Sequence, residues 1–478
     1  MQLSYPRITI TALKGGSGKT FLTLGMASAF KEDGKDVAAF KKGPDFIDPS
    51  WLSLAAGRTC RNLDPFMMDE PWILHSFLTH ARDADLSLIE GNRGLFDGLD
   101  ITGCCSSAEL AGMLKSPVIL IVDVTMTTRT IAAEVMGCQA FDPGLQLRGV
   151  ILNKVGGARQ EALVRGAVEH YCGVPVLGAV RRLKKNLFPE RHMGLIPHRE
   201  VGRALEAVDW ARKVVRDSLD LDGLLEIARG APSLEDTRQE VQGLREEPSS
   251  FSEKPLIGYI EDSAFWFYYP ENLEELARRG AEIVPLSAVG DPRLPDLDAL
   301  YIGGGFPETQ AESLAANETF RRDLKERIDE GLPVYAECGG LMYLGENLIV
   351  GKTTYPMVGA LPVDFVLEKR PQGHGYIVIQ VSGENPFYEQ GTLLKGHEFH
   401  YSRPVVLRGE GFHTAFKVRR GHGFDGDVDG LTRGNLLATY AHIHAAGTPA
   451  WARKLVRKAV EYQGRRRSKN LHQCEKRD

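Results

Sequence analysis

Short runs of apolar, β-favouring residues recur along this chain with longer amphipathic stretches between them: Ile8 to Leu13, Val37 to Phe40, Leu86 to Ile89, Val118 to Val124, Gly149 to Leu152 and Val174 to Leu177. These runs are apolar on both faces rather than alternating, which is the pattern of strands buried between two helical layers. Parallel strands need crossover helices, so the reading is a doubly wound α/β sheet. Between 231 and 254 periodic apolar residues give way to Pro, Ser, Glu and Arg, the composition of a linker. From Pro255 the runs resume at Leu256 to Ile260, Glu282 to Leu286, Ala299 to Ile302, Val334 to Ala336, Tyr376 to Gln380 and Leu436 to Tyr440. A second α/β domain with some antiparallel strands is expected there. The chain has 478 residues, enough for two cores. The expected layout is a first domain over 1–230, a linker over 231–254, a second domain over 255–462 and a solvated basic tail over 463–478.

The first run leads straight into Lys14-Gly15-Gly16-Ser17-Gly18-Lys19-Thr20 and then into a helical stretch from Phe21 to Phe30. Glycines let backbone N–H groups curl around phosphate oxygens. Lys19 would reach the β- and γ-phosphates, and the Thr20 hydroxyl suits Mg²⁺. Leu13 stands where the usual phosphate loop begins with glycine, and with Lys14 the segment resembles the deviant loops of chromosome-partitioning ATPases and dethiobiotin synthetase-like ligases. Two further strand ends carry carboxylates, Asp45 and Asp48 in Phe40 to Pro49 and Glu90 in Leu88 to Gly98. Open α/β sheets bind ligands beyond the carboxyl ends of their strands, and Mg²⁺ takes one or two carboxylates with phosphate oxygens. Thr20, Asp45 and Glu90 are therefore the candidate metal-binding set, and Lys41, Lys42 and Arg93 could meet anionic groups. Asn153, just after another strand, suits an adenine contact or an ordinary turn.

In the second half, Pro333-Val334-Tyr335-Ala336-Glu337-Cys338-Gly339-Gly340 delivers one cysteine to the junction of a strand and a helix. Such a turn exposes a thiol, the glycines remove crowding, and the helix N-terminus favours thiolate. His397, Glu398, His400, His442 and His444 allow a second reading as a metal cluster. A net charge of -5 supplies no global attraction for nucleic acid. Seven scattered cysteines do not make a disulfide framework, and no run is long enough to span a bilayer. A reducing cytoplasm, with neither nucleic acid nor membrane as partner, is the expectation.

Taken together, Phe40 to Pro49, Glu90 to Gly98, Ala336 to Leu344, Gly396 to Ser402 and Tyr440 to His444 resemble the cobyrinate a,c-diamide synthases, a glutamine-dependent amidotransferase family of cobalamin biosynthesis. The resemblance implies an N-terminal P-loop NTPase-like domain, similar to dethiobiotin synthetase, and a C-terminal domain similar to class I glutamine amidotransferases. It implies that Cys338 attacks glutamine, that backbone N–H groups near Gly304 and Gly305 stabilise the oxyanion, and that His442 is the base with His444 as runner-up. The glutamate that usually follows the histidine by two residues is absent, since His444 stands there. ATP on Lys14 to Thr20, with Mg²⁺, would phosphorylate a carboxylate of a tetrapyrrole, and ammonia would displace the phosphate. Asp45, Asp48, Glu90 and Asp97 are carried over as catalytic for that half. Implied substrates are the tetrapyrrole polycarboxylate, L-glutamine and ATP; hydrogenobyrinate or nickel sirohydrochlorin could replace cobyrinate. Lys14, acting as in partitioning ATPases, would imply a homodimer. A non-enzymatic ATPase module is the rival reading, and it leaves Cys338 idle.

Overall fold

The computed structural model describes residues 2–183, 187–188, 190–191, 194–195, 201–236, 238, 241, 253–407 and 411–474. The chain forms two compact units, Met1–Arg245 and Glu246–Asp478. Most of the stretch read as a linker lies outside the described residues.

The first unit is built on seven parallel strands: β1 Arg7–Ala12, β2 Val37–Lys42, β3 Arg61–Leu63, β4 Leu86–Glu90, β5 Val118–Asp123, β6 Leu147–Val155 and β7 Val176–Arg181. Their order is β3-β2-β4-β1-β5-β6-β7. Both faces are covered: in β5, Ile119 and Ile121 join one apolar cluster while Val118, Leu120 and Val122 join another. That is the physical basis of the doubly apolar runs. β1 lies between β4 and β5, so the chain leaves it to either side and opens a crevice at its carboxyl end. Helix α1, Lys19–Glu32, starts there from Gly18 at φ 91°. No side chain caps it and no acidic residue sits in its first turn, which leaves its N–H groups and positive dipole end facing the loop.

The second unit has a ten-stranded mixed sheet. Its strands are β8 Leu256–Ile260, β9 Glu282–Leu286, β10 Ala299–Ile302, β11 Val334–Glu337, β12 Gly373–Val381, β13 Leu393–His400, β14 His413–Arg420, β15 Val428–Arg433, β16 Leu436–Thr439 and β17 His442–Ile443. The order is β9-β8-β10-β11-β16-β15-β14-β12-β13-β17. The first five are parallel and the remainder antiparallel. β17 follows β16 after two residues yet pairs with β13, so the antiparallel half curls back onto the strand it started from. That curl brings His397 opposite His442.

Several antiparallel strands gave no apolar run. Along β13 exposed and buried positions alternate, because one face meets solvent, and a strand of that kind has no continuous hydrophobic signature. The basic segment read as a solvated tail continues a helix, Pro449–Cys474. Arg466 lies 3.5 Å from Asp296 and 3.3 Å from Asp298, so this part of the helix is tied to the domain. Among the described residues no helix is long and apolar enough to cross a membrane.

Arg7, fully buried in β1, has its pKa lowered to about 10 by burial. Its guanidinium donates to the carbonyls of Tyr5, Leu114, Lys115 and Pro232. Arg7→Met would leave these acceptors unsatisfied, each costing about 1–3 kcal/mol. Denaturant unfolding is expected to show a loss of at least about 2 kcal/mol.

Candidate active sites

At the crevice of the first unit, Lys19 Nζ donates to Arg93 O at 2.6 Å and to Lys14 O at 3.3 Å, and Ser17 Oγ donates to Lys14 O at 3.1 Å. Thr20 Oγ1 reaches Glu90 Oε1 at 2.7 Å and Asp48 Oδ2 at 3.3 Å. Three predicted residues are thus brought to one point from α1, β4 and the start of the helix Ile47–Ala56. Lys41, read from sequence as a contact for external anions, is instead paired internally, 2.8 Å from Asp48 and 2.7 Å from Glu90. Alternation along β2 turns it to the face where Glu90 stands, and an ammonium buried there needs a counter-charge.

These charges set one another. Burial alone would raise Asp48, but the Lys41 ammonium holds it below its usual range. Burial raises Glu90 despite Lys41. Asp45 is pushed up to about 7, first by burial and then by Asp48, while Ile47 N donates to its Oδ1 at 2.7 Å. Asn62 anchors this loop by donating to Gly43 O and Asp45 O. Asp97 is exposed and accepts from Gly94 N at 2.9 Å, a turn contact, and its charge acts on Lys19. Asn153 donates to Ser17 O at 2.8 Å and so braces the phosphate loop. Beside it a cavity of about 510 Å³ is lined by Thr125, Met126, Lys154 and Gln160, among others.

In the second unit Cys338 joins β11 to the helix Gly339–Leu344 with φ 47° and ψ −98°. Its Sγ lies 3.5 Å from Phe399 O, to which the thiol donates. The thiol is buried rather than exposed, and burial, then the charge of Glu308, raises its pKa, so the thiolate expected from the helix N-terminus is not favoured. Gly339 packs on the Gly304–Gly305 backbone, where an added Cβ would lie 3.1 Å from Gly305 N. The His442 ring lies on Gly304 so closely that a Cβ there would collide with it. Cys338, Gly304, Gly305 and His442 therefore converge. His444 does not join them: its Nδ1 accepts from Ala446 N at 3.1 Å and its ring packs on Tyr269.

The histidine-rich segments do not close on a metal. Glu398 accepts from His422 N and Gly423 N at 2.6 and 2.7 Å, and the His397 and His442 rings stack 6.4 Å apart. Among the described residues the one such donor group is Cys104, Cys105 and Glu109. There Glu109 accepts from Cys105 N, and its own N–H is capped by Ser106, a helix-start arrangement.

Sequence reasoning missed Glu337. Its Oε2 lies 3.2 Å from His442 Nδ1, and it is 1% exposed. A signal existed, since a carboxylate inside a buried strand must have partners.

Residues 8–196 match the family described as the CobQ/CobB/MinD/ParA nucleotide binding domain, and residues 256–450 match the CobB/CobQ-like glutamine amidotransferase domain. Fold and sites define a nucleotide-binding unit joined to a glutamine amidotransferase-like unit. The chain is 44% identical over 465 residues to the cobyrinate a,c-diamide synthase of Magnetococcus marinus, covering 96% of this chain and 98% of the relative. It is 42% identical over 462 residues to that of Archaeoglobus fulgidus, covering 96% and 99%. The chain belongs to the cobyrinate a,c-diamide synthase family. A solved glutamine amidotransferase structure overlaps 44% of this chain and 98% of its own at 22% identity, with a TM-score of 0.30.

With its pKa raised, Cys338 should be a protonated thiol at neutral pH. Iodoacetamide alkylation, followed by mass spectrometry, is expected to accelerate about tenfold per pH unit from about pH 7 to 9 without levelling. Glu308→Gln removes a charge that holds the thiol up and should speed it.

Proposed function

We propose that the chain catalyses ATP- and glutamine-dependent amidation of the a and c side-chain carboxylates of cobyrinate. The observation that carries this is the strained Cys338 turn with His442 and the Gly304–Gly305 backbone beside it, in a chain that also holds the phosphate loop with Thr20 and Glu90.

For the glutaminase half, His442 Nε2 takes the Cys338 proton as sulfur attacks the glutamine carboxamide. Backbone N–H groups at Gly304 and Gly305 meet the developing oxyanion. The same imidazole returns the proton to the departing nitrogen, releasing ammonia, and water then hydrolyses the thioester to glutamate. A thiol that stays protonated until the amide is in place limits idle chemistry.

For the synthetase half, the ATP phosphates lie along Lys14 to Thr20 and the N-terminus of α1, with Lys19 redirected from carbonyls to phosphate oxygens. The cavity beside Asn153 and Lys154 takes the purine. A carboxylate of the macrocycle attacks the γ-phosphorus, ADP leaves, and ammonia displaces phosphate from the acyl phosphate. Repetition on the second carboxylate consumes a second ATP and glutamine. Thr20, Asp45 and Glu90 offer hard oxygen donors, and Glu90 Oε2 is buried without a hydrogen-bond partner among the described residues, which fits Mg²⁺. When bound, the ion neutralises phosphate charge. Asp48, held ionised by Lys41, orients Thr20, and Asp97 shapes the loop that faces the substrate.

Cys338→Ser is expected to lose glutamine-driven amidation by roughly 10³-fold or more while added ammonium salts restore it. Glu90→Ala should give the converse, glutamate release without amide product. Product masses after incubation with cobyrinate, hydrogenobyrinate or nickel sirohydrochlorin, plus ATP, Mg²⁺ and glutamine, test the substrate. A gain of one and then two amides on cobyrinate is expected, and none on any macrocycle would overturn the reading.

A further inference from the structure

The geometry points to Glu337, the residue immediately before the nucleophile, as the positioning residue for the His442 imidazole. It takes the part of the carboxylate missing two residues after the histidine, and it rests on the proposed glutaminase chemistry.

Glu337 ends β11, in register with Thr439 of β16, so the carboxylate stands beside the strand whose extension carries His442. Its Oε2 accepts from Tyr301 Oη at 3.1 Å and faces His442 Nδ1 at 3.2 Å. Its Oε1 accepts from Ile443 N at 3.3 Å. Asn272 completes the cage, donating to Ile443 O at 2.9 Å and to Tyr301 Oη at 3.3 Å, and accepting from Ala445 N at 2.7 Å. Asn272, Tyr301, Glu337 and His442 are all at most 1% exposed.

The consequence is chemical. A carboxylate can only accept from Nδ1, so the neutral ring carries its proton there and leaves Nε2 unprotonated. The ring edge that rests on Gly304 is Cε1–Nε2, the edge next to the oxyanion backbone. When Nε2 takes the thiol proton, the imidazolium forms against a fixed negative charge in a site of low dielectric, where that charge counts most. The Ile443 N–H and the Asn272 cage hold β17 as well, so one carboxylate bears on both ring orientation and strand position. His444 stands elsewhere, its Nδ1 accepting from Ala446 N and its Nε2 3.6 Å from Glu271 Oε2, while His442 is the ring against Gly304.

The test uses the full chain. NMR of isotope-labelled histidine, with the His442 signal assigned by its loss in His442→Gln, is expected to show the Nδ1–H tautomer. An Nε2–H tautomer in the unmodified protein overturns the assignment, whether or not any variant folds. Glu337→Gln is expected to lower kcat for glutamate release by at least about 100-fold with KM for glutamine within about threefold, while ammonium-driven amidation stays within about twofold. Glu337→Asp should recover part of the loss. A Glu337→Gln enzyme within about threefold of the parent kcat, with the tautomer unchanged, also overturns it. If the parent protein shows the tautomer but releases no glutamate, the glutaminase reading fails and the Glu337–His442 pairing stands.

Discussion

At Cys338 the backbone stands at φ 47°, ψ −98°, a region where a non-glycine residue costs about 1–3 kcal/mol. Cys338 N–H donates to Thr439 O at 2.7 Å, and Met342 N–H returns to Cys338 O at 3.1 Å, so a strand bond on one side and a helix bond on the other hold the turn. Glycines make room for it: a Cβ on Gly340 would stand 2.6 Å from Ile302 O. The arrangement of the amidotransferase-like unit follows from this reversal. It lifts the sulfur toward Phe399 O, lays Gly339 over Gly304–Gly305, and leaves Glu337 behind on the face where Tyr301 and His442 stand. The turn at one residue thus sends Cys338 and Glu337, neighbours in sequence, to different partners, Phe399 O and His442 Nδ1.

The nucleotide-binding unit meets an opposite demand, since it must gather like charges where a triphosphate will come. Glu90, Asp48 and Asp45 share one buried ammonium, Lys41. An isolated buried carboxylate would cost several kcal/mol, and Lys41, with the charge of the nearby Lys19, does not offset the burial of all three. The remainder appears as protonation, with Asp45 pushed up to about 7 by burial and Asp48. Beside this cluster the uncapped start of α1 leaves its N–H groups and positive dipole end facing the loop.

Legibility in the sequence followed physical environment. The strands at Leu256–Ile260 and Ala299–Ile302 fall where the apolar runs put them, because burial writes a continuous signal, and the edge strand Glu282–Leu286 falls where its run put it with only Leu286 buried. β13 was not read, since a strand with one wet face alternates and resembles loop, and β15 was not read because Asp429 and Gly430, though buried, break any apolar run. Lys14 to Thr20 and the Cys338 turn were legible because a glycine loop or a nucleophile turn is a local device whose parts are adjacent in the chain. Lys41 was misjudged for a related reason: its partners lie on other elements, so nothing local shows that its charge is already met.

By itself the sequence determined two α/β units, a phosphate loop at the head of the first and a cysteine at a strand–helix turn in the second, for local backbone geometry and burial pattern dictate these. Only the tertiary structure decided which histidine approaches Gly304 and which carboxylate holds it. Glu337 and His442 are 105 positions apart and meet because β11 lies beside β16. Strand order is a property of the whole sheet, set by how every crossover packs, and no spacing along the chain encodes it.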